Sequence, residues 1–172
     1  GDVLGEARRH DELGARGVVI GALLPGGSLD VPGTRILVDA ARSAEQAAGR
    51  PVDVTFHRAI DAAADPVAAI VALGELDIDR VLTSGGAPKA GDGLHVLAAL
   101  VGADTGVQVM AGGGVTAQAI PGILAAGVDA VHLSAKASIP DPGTAGPGGG
   151  SAAELEVTDA ALERAAAAVR RG

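Results

Sequence analysis

The segment VDVTFHRAID, residues 52–61, alternates apolar and polar side chains up to a His-Arg pair and then becomes Ala-rich. Alternation with a period of two is typical of a β-strand. Four similar β-branched runs recur along the chain, separated by Ala- and Leu-rich stretches with helical spacing. The five predicted strands are 17–23, 52–58, 79–85, 107–113 and 129–135. The predicted helices are 3–15, 32–48, 65–76, 91–103, 116–125 and 158–170.

Short strands that alternate with helices predict βαβ units and a parallel sheet, hence an α/β fold. The strand-plus-helix unit recurs about every 25–30 residues, which favours a TIM-like (β/α) barrel over a dinucleotide-binding fold. Helix boundaries agree with this assignment. Asp65 stands before a first-turn proline, Thr116 and Thr158 stand at expected cap positions, and Gly127 follows a predicted helix as its stop.

The number of strands is too small for a closed barrel, which has eight strands and usually about 250 residues. We therefore expect 1–172 to be a single partial barrel domain that lacks about three N-terminal strands. The alternatives are that a partner supplies them or that the fold is different. Segment 138–157 has the composition of a flexible loop before the last helix. An open five-stranded sheet exposes its edges, so we expect a homo-oligomer.

Composition excludes several classes of partner. The net charge of −8 and the near absence of aromatic residues exclude nucleic acid. No apolar run approaches the ~18 residues of a membrane span, and no signal peptide opens the chain, so we expect a cytoplasmic protein with no membrane partner. The absence of Cys excludes disulfides, thiolate nucleophiles and Cys-containing metal sites.

Strand alternation predicts which side chains enter the barrel. In 52–58 the apolar side chains should meet the outer helices, so the polar side chains should point inward. The inward residues predicted from three strands are Asp53, Thr55, His57, Gln108, Met110, His132 and Ser134. In 79–85 two inward pairs are equally plausible, Leu82 with Ser84 or Val81 with Thr83.

The side chains nearest the C-terminal strand ends lie where barrel enzymes carry their chemistry. These are His57, His132 and Ser134. His57, beside charged neighbours, is a candidate general base. The structural alternative is that both histidines are core residues bonded to Thr55 and Gln108.

Two glycine-rich loops suggest an anion site. MAGGGV, residues 110–115, ends a strand and leads into a helix, and its backbone amides at Gly112, Gly113 and Gly114, with those following Ser134, would form an anion-binding nest. SGGAPK, residues 84–89, is a second such loop.

The chain has only two lysines, Lys89 and Lys136, and both follow strand ends. Together they could draw in a small anionic ligand. The alternative is that both are solvated loop residues.

Arg58 and Asp61 follow the strand at 52–58. Arg58 can bind a carboxylate or phosphate with two parallel hydrogen bonds. Alternatively, it pairs with Asp61 or Asp65 to hold the loop. The catalytic candidates are therefore His57, Arg58, Asp61 and His132.

The segments VTFHRAID, RVLTSGG, VMAGGGV and VHLSA, in this order and spacing, resemble the copper homeostasis protein CutC family over most of residues 3–137. The resemblance implies a TIM-like barrel in which about three N-terminal strands, with their Glu- and Arg-bearing ends, are not part of this chain. It also implies a polar cluster at the barrel mouth. That cluster comprises Thr55, His57, Arg58, Asp61, Thr83, Ser84, His132 and Ser134.

The family name implies copper handling, with copper as the cofactor or ligand, and His57 and His132 are the candidate metal ligands beside Met110. Cysteines that some relatives carry after the His-Arg pair are replaced here by Ala62, Ala63 and Ala64. Cu(I) prefers soft thiolate or thioether ligands, which this chain nearly lacks.

Three hypotheses follow, and they leave open whether the chain is an enzyme. The first is a CutC-like copper homeostasis protein, implicated in copper tolerance and in binding a copper ion. The second is a barrel enzyme acting on a small anionic or phosphorylated metabolite, with His57 as acid or base and with Arg58 and Lys136 holding the anion. The third is a truncated barrel without activity.

Overall fold

The structure is a computed structural model that describes residues 16–134, 136–140 and 154–169. Its main sheet has five strands. They are β1 (Gly17–Ile20), β2 (Asp53–Phe56), β3 (Arg80–Thr83), β4 (Gln108–Gly112) and β5 (Ala130–His132). The helices are α1 (Val31–Ala48), α2 (Pro66–Gly74), α3 (Leu94–Gly102), α4 (Ile120–Ala125) and α5 (Ala160–Val169). Short 3-10 turns cover Arg58–Ala62 and Ala90–Asp92.

The five strands pair in the order β1-β2-β3-β4-β5, and every pair is parallel. A helix separates each strand of this sheet from the next. Strand order that follows the chain without reversal is the order of a (β/α) barrel, whereas a dinucleotide-binding sheet reverses direction at a switch point. The predicted α/β class and the barrel-type arrangement are confirmed, as are the five predicted strands.

The segment that follows the main sheet differs from its prediction. Strand β6 (Lys136–Pro140) pairs antiparallel with β7 (Glu154–Thr158), so both ends of the predicted loop 138–157 are strand. The loop prediction rests on the Pro- and Gly-rich middle of this segment, and it missed the strand-like alternation of ELEVT, residues 154–158. Residues 141–153 and the predicted helix 3–15 lie outside the described residues.

Helix starts and stops were partly predicted. Asp65 caps α2 by accepting from Ala68 N at 2.9 Å, and Gly127 takes a positive φ of 87° after α4, both as expected. The predicted cap at Thr158 is wrong. Asp159 caps α5 instead, because Thr158 is still paired in β7.

The predicted cap at Thr116 is also wrong. The carbonyl of Thr116 closes a turn by accepting from Ala119 N, and α4 begins only at Ile120. Sequence analysis did not single out Asp30, which caps α1 by accepting from Gly33 N at 2.9 Å.

The core lies between the sheet and its helices. Strand positions that share a register row also share a face, and Phe56 pairs with Val81, which pairs with Val109. All three are essentially buried, as are Leu73 and Leu97 on the helices that cover them. The apolar row therefore faces the helices, as the alternation predicted. Among the described residues, no helix is long and apolar enough to span a membrane.

Two carboxylates, each preceding a strand, hold the N-terminal edge of the sheet. Asp79 accepts from Val54 N in the neighbouring strand at 2.6 Å, and Asp129 accepts from Val109 N in the same way at 2.7 Å. Arg42 on α1 donates to Asp79 and to the carbonyl of Val52. Aspartate thus supplies the acceptor for the N–H groups of Val54 and Val109.

Candidate functional site

Parallel pairing brings the carboxyl ends of the five strands to one edge, which we call the C-terminal rim. His57 and Arg58 follow β2, Ser84 follows β3, Gly113 follows β4 and Ser134 follows β5. The structure therefore places these residues, which the sequence analysis had selected, along one edge of the sheet. Whether each has the predicted role stays a prediction.

Asp61 is the best-connected residue at this rim. Its Oδ1 accepts from Thr83 Oγ1 at 2.5 Å, from Ser84 N at 3.0 Å and from Gly86 N at 3.1 Å. Its Oδ2 accepts from Arg58 Nε at 2.8 Å. Thr83 in turn accepts from Gly85 N at 2.9 Å. The carboxylate ties the turn after β2 to the loop after β3.

These contacts decide the ionisation of Asp61. Burial by itself raises the pKa of a carboxyl group, and the Asp61 side chain is only 12 % exposed. Hydrogen bonds from Thr83, Arg58, Gly86 and Ser84 outweigh burial and lower the pKa of Asp61 below 3.8. A carboxylate with so many donors is suited to hold the loop and poorly suited to accept a proton.

Arg58 links Asp61 to Ser84. Besides the bond from Nε to Asp61, its Nη2 donates to Ser84 Oγ at 2.7 Å. The Ser84 hydroxyl lies 2.6 Å from Ala87 O and 3.0 Å from Asp61 Oδ2. Its single hydrogen serves the shorter contact, to Ala87. Pairing of Arg58 with Asp61, which the sequence left as an alternative, is therefore the observed arrangement.

The contacts of His57 determine its tautomer. Its Nδ1 accepts from Ala59 N at 3.1 Å, so in the neutral ring the proton is on Nε2. The ring also lies over Gly21, where a Cβ would overlap it. Among the described residues, neither Thr55 nor Gln108 is hydrogen-bonded to a histidine. Gln108 Oε1 instead accepts from Arg80 Nη2 at 2.7 Å. His57 therefore presents an N–H donor at Nε2. A general base needs a free lone pair at that position, so this tautomer does not suit the role.

The strand register shows which side chains of β3 point inward. Leu82 pairs with Met110, which pairs with Ala130, so Leu82 and then Ser84 continue the inward row. Val81 and Thr83 face the helices, and Thr83 meets Asp61 there. Gly112 lies between Leu82 and His132, since a Cβ at Gly112 would be 2.6 Å from Leu82 Cδ1 and 3.2 Å from His132 Cβ.

The remaining inner-face candidates are spread along the rim. Thr55 is buried, at 7 % exposure, whereas His132 and Ser134 are exposed. Lys136 falls in β6, and its side chain lies outside what the structure describes.

Two cationic side chains from other loops lie against the glycine turn after β4. A Cβ at Gly113 would be 2.9 Å from Arg58 Nη1, and a Cβ at Gly114 would be 2.8 Å from Lys89 Cγ. Both glycines have positive φ, at 107° and 57°. Lys89 is exposed. Sequence analysis assigned Gly113 and Gly114 to an anion nest but did not predict that Arg58 and Lys89 would meet there.

The donor set fits a copper ion poorly. Across the described ranges, no group of three or more His, Asp or Glu side chains is arranged to hold a metal ion. His57 Nδ1 is engaged by Ala59, and its Nε2 carries the proton that a metal would have to displace. Met110 and His132 share the inner face on neighbouring strands, which offers one thioether and one imidazole.

A cavity of about 580 Å³ lies at the opposite, N-terminal edge. Its lining includes Asp53, Asp79, Arg80 and Gln108. Asp79 is engaged with Val54 and Arg42, and Arg80 with Gln108. Because these side chains are committed to holding the sheet, we place the functional site at the C-terminal rim despite the size of this cavity.

The sheet order defines a (β/α)-barrel-type protein, and its polar strand ends form the candidate site. Comparison with known proteins identifies the family within this class. The model of the CutC family matches residues 3–137. A Klebsiella pneumoniae protein (strain 342) named family protein CutC is 40 % identical over 138 residues, covering 80 % of this chain and 53 % of that protein.

Two further relatives agree. A family protein CutC from Vibrio vulnificus (strain CMCP6) is 40 % identical over 131 residues, covering 75 % of this chain and 50 % of that protein. A crystal structure from Streptococcus agalactiae, named provisionally as the copper homeostasis protein CutC, is similar with a TM-score of 0.62 and 26 % identity, covering 75 % of this chain and 60 % of that chain. The chain belongs to the CutC family. It spans about half the length of the curated relatives it matches.

Proposed function

We propose that this chain acts in copper homeostasis, contributing to copper tolerance as a member of the CutC family. The family match over residues 3–137 carries the proposal. The likeness to the Streptococcus agalactiae protein, whose name refers to copper homeostasis, supports it. A cytoplasmic location and association with further copies of the chain, both expected from the sequence, remain predictions and belong to this proposal.

The proposed role in copper tolerance does not use a copper ion held by His57. Cu(I) prefers thiolate and thioether ligands, and this chain has no Cys and one Met. The proton on His57 Nε2 argues in the same direction. Copper coordination by His57 and His132, which the family resemblance implied, is therefore the less favoured form of the proposal.

A complementation experiment tests the role in copper tolerance. A bacterial strain deleted for its own CutC family protein is grown on rising copper with the gene that encodes this chain. We expect growth to be restored to the level given by a relative such as the Vibrio vulnificus protein. Equal expression without any gain in growth, while the relative restores it, would contradict the proposal.

Chelator competition for Cu(I) tests the coordination separately. We expect weak binding that is the same in the protein and in a His57→Ala/His132→Ala variant. Tight binding that disappears in the variant would show that a copper site exists at the rim and would overturn this part of the proposal. His95→Ala, which changes a histidine on α3, is the matched control.

A second candidate function is the binding of a small anionic metabolite at the C-terminal rim. The observation that favours it is the unused hydrogen-bonding capacity of Arg58. A guanidinium has five N–H groups, and Arg58 directs one to Asp61 and one to Ser84. Within the part of the chain that the structure describes, Nη1 has no acceptor, and the Arg58 side chain is 44 % exposed. His57 would contribute its Nε2–H as a donor to the same ligand.

Thermal-shift measurements with small anions test this candidate. We expect acetate, sulfate or phosphate to raise Tm in the protein and the increase to be lost in Arg58→Met. Arg35→Met, which removes an exposed guanidinium from α1, controls for net charge. Equal shifts in all three proteins would indicate non-specific ion effects and would exclude an Arg58 site.

A further inference from the structure

We propose that Arg58, Lys89 and the Gly113–Gly114 turn form a binding site for the phosphate group of a small metabolite. This inference rests on the second candidate function and names its ligand class. It also assigns a role to Lys89. Its first support is that two cationic side chains, from different loops, lie against adjacent glycines of one turn.

A larger residue in this turn would displace both cationic side chains. An added Cβ at Gly113 would be 2.9 Å from Arg58 Nη1 and 3.1 Å from Arg58 Cζ. At Gly114 it would be 2.8 Å from Lys89 Cγ. Gly26 offers a contrast, because it has a similar φ of 102° and nothing within 4 Å of an added Cβ. Backbone conformation favours glycine at Gly26 and at Gly113, but of these two only Gly113 has a cationic side chain against it.

Arg58 is held in place before any ligand arrives. Asp61 and Ser84 each take one of its N–H groups, and Asp61 is itself anchored by Thr83 and Gly86. The two N–H groups of Nη1 and the second one of Nη2 remain available. A preorganised guanidinium loses less conformational entropy on binding an anion than a free one does.

Lys89 supplies the net positive charge. Arg58 and Asp61 form an ion pair at 2.8 Å, so together they are close to neutral. Lys89 has no ion-pair partner among the described residues. Its loop is also tied to the turn directly, because Ala90 N donates to Gly113 O at 2.9 Å. The distance between Lys89 and the turn is therefore controlled by the backbone.

The arrangement suits a phosphate monoester better than a carboxylate. A carboxylate has two oxygens and one charge, and Arg58 by itself could satisfy it. A phosphate monoester has three terminal oxygens and a charge of about −1.5 to −2 at neutral pH. It can therefore use a guanidinium, an ammonium group and the backbone N–H groups of consecutive positive-φ glycines together. The loops after the last strands are also where barrel proteins commonly bind phosphate.

Calorimetric titration with glycerol phosphate, and with acetate for comparison, tests the proposal. We expect saturable binding of glycerol phosphate that weakens about tenfold in Lys89→Met and at least as much in Arg58→Met, since one charge-assisted hydrogen bond is worth roughly that factor. Arg35→Met, with the same loss of charge on α1, should bind normally. Gly113→Ala should also weaken binding by displacing Arg58, whereas Gly26→Ala should not.

The outcomes separate this inference from the function on which it rests. If acetate and glycerol phosphate bind equally and only Arg58→Met matters, the phosphate site is wrong and the general anion site stands. If neither anion binds in a saturable way, both are wrong. Equal losses of affinity for glycerol phosphate in Arg35→Met and Lys89→Met would show that net charge alone is responsible. That result would also overturn the proposal.

Discussion

At the scale of single residues, the rim is organised by one carboxylate and one imidazole with opposite hydrogen-bonding roles. Asp61 only accepts, and four donors from two loops surround it. His57 accepts at Nδ1 from Ala59, so it offers a donor at Nε2. Arg58 bridges from Asp61 to Ser84. Asp61 therefore holds the site together, whereas His57 Nε2 and the remaining N–H groups of Arg58 are the donors that could meet a ligand.

The first residue-scale prediction concerns the tautomer of His57. We expect long-range proton–nitrogen NMR correlations at neutral pH to show the proton on Nε2, because Ala59 N–H occupies Nδ1. His95, on the surface of the α3 segment, provides the comparison within the same spectrum. A proton on Nδ1 of His57 would contradict the structure and would restore the metal-ligand role.

The second residue-scale prediction concerns stability. Asp61→Asn should lower the free energy of unfolding by roughly 2–4 kcal/mol, because it removes the charge that pairs with Arg58 and turns an amide N–H₂ towards donors. Asp65→Asn is the matched control, since asparagine caps a helix as well as aspartate does. Urea unfolding at pH 7 measures both. A similar small effect in the two variants would contradict the network around Asp61.

The lowered pKa of Asp61 leads to a pH prediction. The folded-state pKa lies below the ordinary 3.8, so the group stabilises the fold above that value. This contribution is lost as the pH falls through the folded-state pKa. We expect unfolding free energies, measured from about pH 5 to about pH 2, to fall more steeply in the protein than in Asp61→Asn. Parallel curves would show that the pKa of Asp61 is the same in the folded and the unfolded protein, which would contradict this prediction.

At the scale of elements, β2 and β4 each depend on a contact that their own segment does not contain. Asp79 precedes β3 but caps an N–H of β2, and Asp129 precedes β5 but caps an N–H of β4. Arg42 on α1 forms an ion pair with Asp79 and so joins the helix to the first of these contacts. Arg42 also forms ion pairs with Asp77 and Glu45. Burial lowers the pKa of Arg42, but its bonds to Asp79 and Glu45 outweigh burial and raise it.

The element-scale prediction compares the two aspartates. Asp129→Ala should lower the free energy of unfolding by about 1 kcal/mol, the usual value of a partly exposed hydrogen bond. Asp79→Ala should lower it by about twice that, because Arg42 also loses a partner. Asp39→Ala on the exposed side of α1 should be close to neutral. Urea denaturation measures all three. Equal costs for Asp79 and Asp129 would show that Arg42 adds nothing to the strand cap.

At the scale of the whole molecule, the main sheet ends at β1 and β5 within the described residues. Val19, on the inner row of β1, is 65 % exposed. Edge strands with exposed apolar side chains favour association. The homo-oligomer expected from the sequence therefore has a specific candidate surface in β1.

The whole-molecule prediction is that this chain associates through β1. Sedimentation velocity at several concentrations should show species larger than a monomer, and Val19→Lys should shift the distribution towards monomer. Ile36→Lys is the matched control, because Ile36 is also 65 % exposed but lies on α1. Loss of association in Ile36→Lys alone would place the contact on the helix layer instead.

Much of the fold could be predicted from the sequence. Alternation in the strand segments and helical spacing between them predicted five parallel strands and the layer of helices, since both periods report local backbone geometry. The hairpin of β6 and β7 was not predicted, because the pairing of two strands separated by a glycine- and proline-rich stretch depends on contacts distant in the chain.

The sequence by itself determined the family, the class of fold and which side chains stand at the strand ends, because these follow from residue types and their local periodicity. Only the tertiary structure decided what those side chains do to one another. Asp61 meets Thr83 and Gly86 across 22 and 25 residues, and Arg58 meets Gly113 across a still longer separation. Such contacts depend on strand register and on how loops fold over the sheet edge, which no local pattern specifies.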